Sequence, residues 1–144
     1  MSDPHVLGEG LAPTPFTADE IRAGCPDGHT LRVRTTEASG ASEVTHRFHD
    51  GDGDGVTITY SAGGSAESAR VAWRDLQAHA SFPAGLTTIT TESVETALGT
   101  LECLRYDLER DPPMTFWFAV AHPGMPVRYT DGSSLTEVVG IQRT

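Results

Sequence analysis

From Leu31 onward the apolar residues of this chain recur at every second position, and that period constrains the fold more than any other feature. Leu31 and Val33 alternate with Arg32 and Arg34. Val44, His46 and Phe48 share one face of the next run, and Val56, Ile58 and Tyr60 share one face of a third. Side chains two residues apart lie on the same side of a strand, so these runs read as half-buried strands of an antiparallel sheet. The punctuation agrees. Asp50-Gly51-Asp52-Gly53-Asp54-Gly55 and Asp131-Gly132 contain the Asp-Gly pairs that accept the positive φ of tight hairpins.

The remaining segments are less regular. Residues 61–68 are small and polar and read as a loop. Val71 and Trp73 suggest a strand end, and residues 75–80 a short helical turn with Leu76 and Ala80 on one side. Residues 87–96 are rich in β-branched side chains and read as a strand, with a bulge expected near Ser93. Over residues 101–108 the apolar phase shifts from Leu101 and Cys103 to Leu104, Tyr106 and Leu108, which marks either a bulge or a strand buried on both sides. Residues 115–121 place Phe116, Phe118 and Val120 against Trp117 and Ala119, as a central strand would. Val127 and Tyr129 resume the alternation, and Leu135, Val139 and Ile141 close the chain as a last strand.

Before the strands, Thr17-Ala18-Asp19-Glu20 opens a short helix. Thr17 is placed to cap it, Glu20 to complete a capping box, and Phe16 and Ile21 to form a staple. Pro26 ends it. Residues 1–15, rich in Pro, Gly and acid, read as a flexible N-terminal arm, and residues 16–144 as a single antiparallel β domain, a common domain size. The predicted fold is mainly β with minor α. It is a curled antiparallel sheet of about eight strands, a half-barrel or closed barrel, with a short N-terminal helix.

The formal net charge is −10, which opposes binding to nucleic acid or to anionic membranes. All ten basic residues are Arg, and Asn is absent as well as Lys. Lys and Asn share A-rich codons, so much of the acidity reflects a GC-rich genome. The segment MSDPHVLGEG has neither a basic n-region nor an apolar h-region, and no apolar run approaches the ~18 residues of a membrane span. A cytoplasmic protein without a membrane span is the expectation. Cys25 and Cys103 act as small apolar fillers or form a single bridge.

The segment Thr96-Ala97-Leu98-Gly99-Thr100-Leu101-Glu102-Cys103, then Thr115-Phe116-Trp117-Phe118, then Pro123-Gly124-Met125-Pro126-Val127-Arg128 carries a family resemblance. A Gly-turned hairpin leads to an aromatic strand, a Pro-Gly bend and another strand. In this the C-terminal half resembles LolA-like and lipoprotein-like curved-sheet families, and small uncharacterised actinobacterial proteins. The resemblance covers about a third of the chain and implies a curved antiparallel sheet. Its motifs specify turns and a packed strand rather than chemistry.

Several residues invite a functional reading. Asp50, Asp52 and Asp54 with Gly55 match the first half of a calcium loop, but Ser61 stands where a bidentate Glu belongs and the flanks are strand-like. An acidic hairpin tip, with no metal, is expected. Of the six histidines, His46 and His49 point to opposite faces of one strand, whereas His79 and His122 lie beside apolar residues. No nucleophile elbow, phosphate loop or zinc motif is present, so no catalytic residue and no cofactor are assigned. The aromatic set Trp73, Phe82, Tyr106, Phe116, Trp117 and Phe118 either fills the core or lines a concave cavity. In the second case Trp73, Tyr106 and Trp117 line it, with His79, Arg105 and Arg128 as polar anchors. The function this suggests is the binding of an apolar small molecule or a protein partner without catalysis. The alternative is a small-barrel enzyme, of cyclase or isomerase type, acting on a hydrophobic substrate.

Overall fold

A computed structural model describes residues 3–143. Helix α1 (Ala18–Gly24) precedes four strands, β1 (His29–Glu37), β2 (Gly40–His49), β3 (Gly55–Ala62) and β4 (Ser65–Ala72). Helix α2 (Trp73–Ala78) and a 3₁₀ turn (Ala84–Leu86) lead into β5 (Thr87–Thr96), β6 (Gly99–Leu108), β7 (Met114–Ala119), β8 (Arg128–Thr130) and β9 (Ser134–Arg143). All pairings are antiparallel, in the order β4-β3-β2-β1-β9-β8-β7-β6-β5. Two meanders are thus joined by β1 against β9, and the sheet is open, with β4 and β5 as its edges. The described residues form nine strands, where about eight are expected, and of the two shapes anticipated the closed barrel is not formed.

The extra strand is β4. Residues 61–68 are not a loop: β3 runs to Ala62, Gly63 and Gly64 make the turn at φ 55° and 91°, and Ser65–Ala72 returns along β3. This edge strand is exposed almost throughout and has no buried face to give it an apolar period. Close packing of the pair requires Gly55, where a Cβ would collide with the Val71 carbonyl. The bulge expected near Ser93 is also absent, since β5 pairs with β6 without a break. Instead β6 is buried on both sides, with Tyr106 and Leu108 in the main core and Cys103 in a small cluster on the outer face. The register does break between Arg32 and Val33 where β1 meets β9, which re-phases Val138 and Ile141 onto the inner face.

The capping box of α1 forms as its residues suggest, with Glu20 N–H donating to Thr17 Oγ1 at 3.2 Å and Thr17 N–H to Glu20 Oε1 at 2.9 Å. Phe16 and Ile21 are buried. The segment expected to be a loose arm makes specific contacts. Ala12 N–H donates to the Phe82 carbonyl, Ala84 N–H to that of Gly10, and Tyr106 Oη to that of Pro13 at 2.6 Å. Buried Gln77 ties arm and helices together: its amide donates to Thr14 Oγ1 and the Pro4 carbonyl and accepts from Ala18 N–H. Main-chain donors and acceptors in an irregular segment can be satisfied this way without any apolar period to betray it.

The sheet is strongly curled. Five strand-to-strand steps separate β4 from β8, roughly 24 Å on a flat sheet. Yet Val71 of β4 and Tyr129 of β8 line the same cavity. The connection carrying α2 lies on this concave side, because Leu76, His79 and Ala80 line that cavity too.

Candidate functional site

Alternation along β2 and β3 sends His46, Phe48, Ile58 and Tyr60 inward, and along β7 it does the same for Phe116 and Phe118. Between these two walls lies a cavity of about 300 Å³. Ile21 of α1, Leu76 and His79 from the α2 region and the bend Gly124-Met125-Pro126 complete its walls. Phe116 stacks on Tyr129 with ring centroids 5.7 Å apart and on Phe82 at 5.1 Å, giving a wall of stacked aromatic rings. Tyr60, 38% exposed, and exposed His79 stand where the cavity meets solvent.

The lining contains no carboxylate, guanidinium, thiol or aliphatic hydroxyl. Its polar side chains are two imidazoles and two phenols. His46 touches the Tyr60 ring edge-on, centroids 4.8 Å apart, and among the described residues no group hydrogen-bonds its ring nitrogens. Burial holds its pKa below the ordinary histidine value, so the ring is neutral at pH 7. A neutral imidazole offers one donor and one acceptor. His49, three residues on, faces outward, with ring nitrogens 2.7 Å from Thr59 Oγ1 and 2.9 Å from Asp50 Oδ2.

The residues singled out in the sequence occupy three different places. His79 lies at the cavity. Trp73 does not: it is buried at the start of α2, with Nε1 donating to the Asp52 carbonyl at 2.8 Å. Tyr106 is buried beside Phe118 and Phe82, its hydroxyl bound to the arm and its pKa pushed up to about 12 by burial. Trp117, Arg128 and Arg105 come together on the outer face instead. The guanidinium carbons of Arg105 and Arg128 stand 5.4 and 5.8 Å from the Trp117 ring centre. Arg105 pairs with Glu92 and Asp107, and Arg128 with Glu137. This array holds neighbouring strands together: both guanidinium groups are paired within the protein, while the buried Trp117 Nε1 has no hydrogen-bond partner among the described residues. The residues that sequence reasoning did not select are His46, Tyr60, Met125 and Tyr129. His46 was visible as a member of the apolar face of Val44 and Phe48, but nothing marked that face as the hollow one.

Other candidate groups serve the fold. Asp52 Oδ1 accepts from the N–H groups of Asp54 and Gly55, and Asp52 pairs with Arg70 at 2.6 Å. Those bonds hold its carboxyl below the usual range. Among the described residues no group of three or more His, Cys, Asp or Glu is placed to hold a metal ion. Cys25 and Cys103 are free and buried, and burial pushes the Cys25 thiol up to about 12. A larger depression, about 420 Å³, lies on the outer face beside the Gly63-Gly64 turn. Its lining is small, polar and mostly exposed, and is spanned by the Arg32–Glu43 pair at 3.3 Å, so it encloses nothing. Among the described residues no helix is long and apolar enough to cross a membrane. Comparison with protein-family models and with curated proteins gives no match, so the reading of this site rests on its own geometry.

Proposed function

We propose that this domain binds an apolar small molecule in the cavity between its two meanders. The observation that carries the reading is an aromatic-lined space of about 300 Å³, at the lower end of the size range of ligand pockets. Apolar walls with a few polar groups are the general composition of such sites. The site that supports this reading is the one around His46, not the set of Trp73, Tyr106, Trp117 and Arg128.

Met125 lines the cavity and Met114 does not, which supplies an internal control. On titration of the protein with naphthalene, the methyl resonance of Met125 shifts saturably while that of Met114 stays in place. Ala80→Phe, which fills the cavity, abolishes the shift. A Met125 resonance that does not move, or moves together with Met114, overturns the reading.

A second reading, a proton-transfer enzyme acting on the same guest, draws on one observation, the neutral and unpartnered His46. An imidazole with a depressed pKa can serve as a general base, but no carboxylate of the lining orients it.

A further inference from the structure

The lining of the cavity determines more than its size. With no charged side chain in the wall, a charged guest would lose its hydration without gaining a counter-ion, which is costly. The carboxylate nearest in register is Glu67, opposite Tyr60 on the exposed edge strand, and the protein as a whole carries −10. Both disfavour an anion. A purely apolar guest would in turn leave the ring nitrogens of His46, set among apolar side chains, without a partner. A guest hydroxyl resolves this for either tautomer, since it both donates and accepts. The wall formed by Phe82, Phe116 and Tyr129 is a run of stacked rings and favours an aromatic, hence planar, body that packs against it by offset or edge contact.

Resting on the cavity reading above, we propose that the guest is an uncharged planar molecule bearing a hydroxyl group, and that His46 is the specificity-determining residue that hydrogen-bonds this hydroxyl. His46 selects the guest from one side, and the aromatic wall holds it from the other.

The test compares four probes of one shape at neutral pH: naphthalene, 2-naphthol, 2-naphthoate and 2-naphthylmethylammonium. Affinity is measured by calorimetry, with the Met125 methyl resonance locating the probe. The wild-type protein takes 2-naphthol about fivefold or more tighter than naphthalene, the factor of one net hydrogen bond, and takes both ions more weakly than 2-naphthol. His46→Leu brings 2-naphthol and naphthalene to equal affinity, and His46→Gln, which keeps a donor and an acceptor, retains the preference. Should His46→Leu fail to fold, His46→Phe keeps a ring against Tyr60 and removes the nitrogens. Equal binding of naphthalene and 2-naphthol to the wild type overturns this inference and leaves the cavity reading standing. So does tighter binding of either ion, or a naphthol preference that survives removal of the imidazole. Binding of none of the four overturns the cavity reading itself.

Discussion

Gly124 and Met125 wall two spaces on the concave side of the sheet, and a histidine sits in each, His29 buried and His46 half-buried. Around His29 the space is about 10 Å³, and around His46 it is about 300 Å³. In the first, Cys25, Leu31, Val138 and Ile141 converge on the ring, and the Cys25 thiol reaches the Pro123 carbonyl at 3.5 Å. In the second, aromatic side chains stand apart and leave room. The same bend therefore packs tightly on one side and loosely on the other. The hollow is local to the region between β2–β3 and β7–β8 and is not a general slackness of the inner face. Phe48 is the partition. It lines the large cavity and meets His29 edge-on, centroids 5.6 Å apart.

Removing the partition breaks the contrast most severely. Phe48→Ala merges the two spaces and costs about 3–5 kcal/mol in chemical denaturation. Adding bulk on either side sharpens it. Val138→Phe, on the tight side, costs about 1–3 kcal/mol through overpacking. Val71→Phe, at the hollow, stays within about 0.5 kcal/mol of the wild type. Equal costs for the two would show that the spaces do not differ as described.

The smallest effect is that of pH. Burial lowers the pKa of both histidines, for His29 with help from Arg143 and His122. The unfolded chain then binds protons before the folded one as pH falls, so stability decreases as pH drops through the unfolded value of about 6.5. Thermal melts from roughly pH 7.5 down to 5 show a falling Tm. His46→Leu gives a shallower slope by removing one of the two groups.

Much of this fold is legible in the residues. The inward faces of β1, β2 and β3 follow from simple alternation, and the α1 cap from Thr17 and Glu20. The edge strand β4 is not, because a strand exposed on both faces has no apolar period, and Gly63-Gly64 was its sole turn signal. The site is less legible than the fold. Trp73, Tyr106 and Trp117 attract attention by size, but size does not say where a ring points. Trp117 sits between Phe116 and Phe118, so strand parity already set it on the opposite face from both. The polar atoms of Trp73 and Tyr106 find carbonyls in loops, at Asp52 and Pro13, that no periodicity reveals. The hollow itself depends on how far the sheet curls, which is a property of the assembled strands.

The order of the sheet also sets a sequence of events in synthesis. β1 and β9, the first and last strands of this sheet in chain order, are neighbours at its middle. Each meander can pair locally as it emerges, through short hairpins of low closure cost. The long-range pairing of His29–Glu37 with Ser134–Arg143 has to wait for the final strand. Until then β1 presents a bare edge, and the walls carrying His46 and Phe116 belong to separate halves. The cavity therefore exists only once the two halves are joined, and a guest that fills it would act as a latch on the pair rather than on either half.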